Sequence, residues 1–323
     1  MLAFDVLKQD MTGLFILEKT IRQLFFAPLH FGGKNLLFIL VFVCFLTNCR
    51  TESVKPPINL PTREITDDLG RTLKLPETIE RAVSLAPNLT EIVFAVGAGD
   101  KLVGRTSYDN FPPEAQKIQT VGDTLNPNIE NIIALRPQVV LVSTASQIET
   151  FTKQLESQNI AVFVTNPNSL DDIYKSISQI GAIFGNGEKA REIVAGLQKR
   201  VADVEANINK KDVKVFVQIS KEPLFTIGKD SFITDLIKRA GGISVTANVA
   251  TAYPKLSKET ALALNPDVII LSESDDNREP NNVFKNSPAV KNGKVFKINA
   301  DIISRPSPRI VDALEQIARD LQK

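Results

Sequence analysis

The chain has 323 residues, 43% of them hydrophobic and 23% charged, with a formal net charge of +1; this is room for about two globular domains, with no basic surplus for nucleic acid and no acidic tail. Its one His is His30, its Met residues are Met1 and Met11, its Cys residues are Cys44 and Cys49, and it has no Trp. From Arg50 onward these four types are absent, which excludes a His-rich zinc or manganese site, Met/His haem ligation, Ser-His-Asp and Cys-His nucleophiles and a body disulfide; a metal could bind there only through oxygen.

Taken in chain order, residues 36–46 read LLFILVFVCFL and follow Lys34. This apolar run is shorter than the roughly 20 residues that span a bilayer, and it suits the core of a secretory signal peptide. With LTNCR after it, the segment resembles a bacterial lipoprotein signal, which implies lipidation of Cys49 as the mature N-terminus; Asn48 stands where a smaller residue is usual. Residues 1–33 are longer than a signal's charged lead and are read as upstream of the true start. Residues 50–62 are polar and Pro-rich and read as a flexible tether.

The body opens with EITDDLGRTLKLP, two strand-like runs about Asp68-Leu69-Gly70, so a hairpin is expected. Strands and helices then alternate: AVSL, NLTEIVFAVGAG, PNIENIIALRP, VVLVS, SQIETFTKQLESQ, IAVFVT and SLDDIYKSISQIGAIFG. Alternation at these lengths predicts a parallel sheet. Residues 186–210 carry apolar Ile193, Val194, Leu197, Val201, Val204 and Ile208 at helical spacing without a breaker, the longest helix in the chain. A second alternating region follows: VKVFVQIS, DSFITDLIKRAGG, VIILSES, KVFKINA and a terminal helix from SPRIVDALEQ, with Ser307 and Pro308 read as its N-cap and first residue. The predicted fold is α/β, two Rossmann-like lobes with parallel sheets (residues 63–185 and 211–323) joined by a single long backbone helix (186–210).

One unit occurs twice. NPNIENIIALRPQVVLVS, Asn126 to Ser143, is matched by LSKETALALNPDVIILSE, Leu256 to Glu273, so that Glu130 falls on Glu259, Ala134-Leu135 on Ala263-Leu264 and Pro137 on Pro266. Each lobe thus carries one helix-then-strand copy. Asn128 and Ser257 are read as N-caps, which puts both glutamates in a first helical turn, where the helix dipole favours a carboxylate.

SLAPNLTEIVFAVGAGDKLVGRTSYDNFPPEAQKIQTVG, the first repeat unit, FTIGKDSF and RPSPRIVDALE together resemble the periplasmic vitamin B12 binding proteins. More broadly, they resemble the helical-backbone class of ABC-transporter substrate-binding proteins, which also take ferric siderophores and haem. The resemblance covers roughly residues 63–323. It implies no enzyme but a monomeric, extracytoplasmic or periplasmic protein that holds a small molecule between two lobes, moves little on binding, and delivers to an ABC permease dimer, with a lipid anchor in the membrane. The expected ligand is cobalamin or a related corrinoid, with siderophore or haem as the alternative; no cofactor, metal or nucleic acid is expected.

Residue by residue, the resemblance places Tyr108 and Tyr253 against the ligand, Tyr253 where relatives carry Trp. Thr124 and Ile219 stand where relatives often carry aromatics. Phe225 is read equally as lining the mouth or packing in the core. Asp301, Ser304 and Arg305 match a ligand-facing loop. Glu130 and Glu259 match the acidic residues, one per lobe, that dock on the permease. Tyr174, inside a predicted helix, is read as packing. An α/β enzyme is the reading from another class; GAGDK, Gly97 to Lys101, is not a GxGxxG loop, and no GxxxxGK[ST] occurs.

Overall fold

The computed structural model describes residues 61–143, 148–209 and 212–323. The N-terminal extension, the signal with Cys49 and nearly all of the tether lie outside the described residues.

The expected hairpin is present. β1 (Thr62–Thr66) pairs antiparallel with β2 (Thr72–Pro76), and the Asp67 carboxylate accepts from the Leu69 and Arg71 amides inside the turn. Next come β3 (Ala82–Ser84), α1 (Pro87–Ala95), β4 (Leu102–Gly104), α2 (Ile129–Ala134), β5 (Val139–Ser143), α3 (Ile148–Glu156), β6 (Ala161–Thr165) and α4 (Leu170–Ile183). The strands form one sheet in the order β4-β3-β5-β6, parallel throughout. Every residue of β5 is buried, as a strand covered on both faces requires.

A single helix, α5 (Gly187–Ala206), leads out of this lobe. The second lobe holds β7 (Val213–Ser220), β8 (Phe225–Thr226), α6 (Phe232–Arg239), β9 (Gly242–Ser244), α7 (Lys258–Leu264), β10 (Val268–Glu273), α8 (Pro288–Lys291), β11 (Val295–Asn299), α9 (Ala300–Ile303) and α10 (Ile310–Gln322). β11, β10, β7 and β9 are mutually parallel. The short β8 departs from the expectation and runs antiparallel to the end of β7.

α5 buries Ala190, Leu197 and Val201. These side chains belong to one core that includes Val139 and Phe163 of the first lobe and Val215 and Leu314 of the second. At the start of α5 the helices touch closely: a Cβ on Gly181 would stand 2.4 Å from the Ala190 Cβ. Further along, Arg200 donates to Asp312 and Glu315 of α10 at 2.7 and 2.8 Å. Arg239 of α6 joins Glu205 of α5 and Asp171 of α4, and Asp235 accepts from the Leu170 amide at the head of α4. Both lobes therefore pack apolar side chains on the connecting helix, and the second lobe adds ion pairs to it.

Two boundaries differ from the sequence reading. α5 stops at Ala206, because the Asn207 side chain bends back to donate to the Asp203 carbonyl at 2.7 Å and takes the C-cap position. Ser307 is not the N-cap of the last helix, which starts at Ile310 after Arg309. Its hydroxyl donates instead to the buried Glu91 carboxylate at 2.6 Å, a charge-assisted bond stronger than the one a neutral cap would make.

The duplicated unit is the same in three dimensions. Asn128 caps α2 by accepting from the Asn131 amide, and Ser257 caps α7 by accepting from the Thr260 amide. The strands that follow, β5 and β10, are the buried centre of each sheet.

Candidate functional site

In a parallel α/β sheet the chain leaves each strand's carboxyl end in a loop, and ligands collect there. The two sheets of this molecule bring such loops together. A cavity of about 420 Å³ is walled on one side by Ala86, Asn88, Ser143, Asn166, Pro167 and Asn168, and on the other by Asp230, Phe232, Ala252, Tyr253, Ser304 and Pro306. Its size falls within the roughly 300–1,000 Å³ of small-molecule sites. The first group follows β3, β5 and β6; the second comes from the head of α6, the loop before α7 and the segment after α9. A larger groove, about 900 Å³, runs beside α6 and β9. It takes only Asn168 from the first lobe and is walled by the Arg239 ion-pair cluster, so the cavity shared evenly by both lobes is the stronger ligand site.

Tyr253 and Ser304 wall the cavity, as expected of ligand-facing residues. Tyr253 is 43% exposed as a residue, yet burial raises its pKa above the usual 10.0, against a hydrogen bond with Ser231. The loop before it is held by Gly228, where a Cβ would lie 2.2 Å from the Thr251 carbonyl oxygen, so no other residue fits at that approach. Ser304 meets the Ser272 hydroxyl at 3.2 Å.

Tyr108 is 58% exposed and stands on the rim rather than in the wall. Its loop is pinned by Asp109, whose carboxylate accepts from the Thr106 and Thr90 hydroxyls at 2.6 and 2.7 Å. Burial raises the Asp109 pKa, with those hydrogen bonds opposing. Asp301 and Arg305 reach the same rim: Arg305 donates to Asp301 at 2.6 Å and to the Tyr108 carbonyl at 3.3 Å. The Arg305 guanidinium also bonds Glu91 and Asn110, so a ligand group reaching it must displace a protein partner.

The structure does not bring the remaining three expected residues to the cavity wall. Thr124 lies in the loop ahead of α2, half-buried. Ile219 packs against the main core from the end of β7. Phe225, in β8, is half-buried and pairs with the Lys255 backbone. Tyr174 is buried in α4, where burial pushes its hydroxyl up to about 12.

Glu130 and Glu259 do not line the cavity and are exposed in the first turns of α2 and α7. The Glu259 backbone amide and the Ser257 hydroxyl hold its pKa below the usual value. Among the described residues, no group of three or more His, Cys, Asp or Glu is gathered as a metal site.

Sequence reasoning missed Asn88, Ser143, Asn166, Asn168 and Asp230 as walls. A signal was available: Ser143 ends a predicted strand, Asn166 follows one, and Asn88 and Asp230 open predicted helices, where a parallel sheet delivers its ligand groups.

This architecture, two parallel-sheet lobes on one helix with a cavity between strand ends, defines a class of binding protein. The profile of the periplasmic binding protein family matches residues 83–302, and the chain belongs to that family. It is a substrate-binding protein of an ABC transporter of the vitamin B12, siderophore and haem class, not an enzyme, and works outside the cytoplasm. An uncharacterised ABC transporter substrate-binding lipoprotein of Bacillus subtilis, YvrC, is 31% identical over 80% of this chain and 84% of its own. A vitamin B12-binding protein of Vibrio cholerae is 29% identical over 77% of this chain and 92% of its own. The crystal structure of the periplasmic vitamin B12 binding protein BtuF of Vibrio cholerae aligns with a TM-score of 0.67 at 28% identity, over 76% of this chain and 97% of that one.

Proposed function

We propose that this protein captures cobalamin or a related corrinoid between its lobes and, tethered through a lipid on Cys49, delivers it to an ABC permease. The observation that carries the ligand assignment is the charge of the cavity wall. Among the described residues it offers neutral amides and hydroxyls (Asn88, Asn166, Asn168, Ser143 and Ser304), apolar faces from Tyr253 and Phe232, one carboxylate, and no Lys or Arg. A flat macrocycle fringed with neutral amides suits such a wall: its faces gain from aromatic contact and its fringe from hydrogen bonds. The propionates of haem or the oxyanions of a ferric siderophore would want a cation. Arg305, in sequence between the wall residues Ser304 and Pro306, and Arg309 are already paired with Glu91. Haem iron would also need a ligand from the wall, and burial disfavours the Tyr253 phenolate. The likeness to vitamin B12-binding proteins of Vibrio supports the same reading.

Calorimetry of the purified protein with cyanocobalamin, cobinamide, haemin and a ferric hydroxamate tests this directly. Saturable binding of a corrinoid is expected; saturation by haemin or the siderophore with no corrinoid heat overturns it. For the anchor, the intact mass of protein extracted from membranes should correspond to a chain beginning at a diacylated Cys49. A mature chain that retains Lys8 to Gly32 overturns that part.

A further inference from the structure

We propose that Glu91 is a positioning residue for ligand capture: with Arg305 and Arg309 it latches the two lobes beside the cavity and sets how far the cleft stands open. Glu91 belongs to α1 in the first lobe, and its side chain is 2% exposed. Its carboxylate receives hydrogen bonds from Arg305 Nη1 at 3.0 Å, Ser307 Oγ at 2.6 Å, Arg309 Nε at 2.9 Å and Arg309 Nη2 at 2.5 Å. All these donors lie in one short segment of the second lobe, between α9 and α10.

The latch extends sideways. Arg305 also donates to Asn110 Oδ1 of the first lobe at 2.7 Å, and the Asn110 amide returns to Asp301 Oδ2 at 2.7 Å. The Arg309 guanidinium covers the Phe111 ring at 4.0 Å from its centroid. Opening the lobes would strip several of these bonds at once: Glu91 would lose all its side-chain partners and Arg309 its carboxylate, while Arg305 would keep only Asp301 of its own lobe.

Such a buried cluster is a poor source of net stability, because desolvation offsets the attraction. What it supplies is geometry: bidentate, charge-assisted bonds fix one arrangement. Its position makes that arrangement matter, because Ser304 and Pro306, on either side of Arg305, are cavity wall. The lobes are thus held along α5, where α6 also meets α4, and at the cleft edge by the latch, which opposes any rotation that widens the cleft there. A ligand group that bonds Asp301 or the Tyr108 carbonyl competes with Arg305, which couples ligand arrival and release to the latch.

The cysteine-free body makes the test clean. The full chain with Cys44→Ser and Cys49→Ser takes spin labels at Lys117→Cys and Lys291→Cys, exposed positions on opposite lobes, and the inter-label distance is measured without ligand. Glu91→Gln is expected to broaden the distribution toward longer separations while circular dichroism stays native. With cyanocobalamin as probe, it is expected to raise the dissociation rate about tenfold and leave the association rate within about twofold. Arg309→Lys, which keeps the charge but loses the fork, should fall between wild type and Glu91→Gln. If Glu91→Gln does not fold, Arg309→Ala carries the same distance measurement. An unchanged distribution in the folded variants overturns the latch. Because the distance needs no ligand, its outcome is separate from that of the corrinoid assignment.

Discussion

Arg136 and Asn265 occupy equivalent places in the duplicated unit and share a left-handed backbone, with φ of 47° and 44°. Each follows its helix and precedes a proline, Pro137 or Pro266, which cannot continue a helix. The two lobes therefore repeat a turn as well as a helix and a strand. Asn enters this conformation more readily than Arg. Arg136→Asn should stabilise the protein by about 0.5 kcal/mol, read as a raised midpoint in urea unfolding. A midpoint that stays put or falls would show that Arg136 earns its place through its side chain.

The heads of the same unit carry the exposed glutamates. If they dock on the permease, Glu130→Ala with Glu259→Ala should abolish uptake in cells that depend on this protein, while affinity in calorimetry stays within about twofold. Uptake that survives the double substitution removes the docking role.

Tyr253 is, with Phe232, an aromatic wall of the cavity. Tyr253→Ala should weaken cyanocobalamin binding about tenfold or more, and Tyr253→Phe much less, because the ring face rather than the hydroxyl provides most of the contact. Equal losses for the two variants would move the role to the hydroxyl.

Asp109 sets a pH dependence. Its folded pKa lies above the unfolded one because burial disfavours the charged form. Between those two values the folded state binds more protons than the unfolded, so Asp109's contribution to stability falls as pH rises through the window. Relative to Asp109→Asn, which does not titrate, the wild type should gain stability as pH is lowered from 7 toward the ordinary aspartate range. Thermal melts of both proteins across pH 4 to 7 give the difference; a difference independent of pH would contradict the assignment.

At Gly181 the α4–α5 contact leaves no room. Gly181→Ala must push the helices apart against Ala190, and should cost about 1–3 kcal/mol in chemical denaturation despite the better helix propensity of alanine. An increase in stability would mean that the crossing is looser than the packing indicates.

Most of the fold was legible in the chain because its signals are local. Alternating apolar runs and helical stripes placed β3, β5, β6, β7, β10 and the long α5, and Asn128 and Ser257 could be read as caps from their own surroundings. The reading of Ser307 shows the limit. By local rules it is a good cap, but Glu91, 216 positions away, takes its hydroxyl. Antiparallel β8 was hidden for a similar reason: two residues carry no period, and only the partner strand β7 defines them.

The cavity divides the same way. The sequence by itself determined that this protein is two α/β lobes on one helix, that its body has no thiol or imidazole chemistry, and that a glutamate heads each duplicated unit. These follow from composition and short-range periodicity, which survive in any reading of one chain. Only the tertiary structure decided that Asn88, Asn166 and Asp230 share a cavity with Tyr253, and that Arg305 is held by Glu91 across the cleft. A side chain's charge is visible in sequence, but the partner that neutralises it is chosen by which strand ends and loops the two sheets bring into contact.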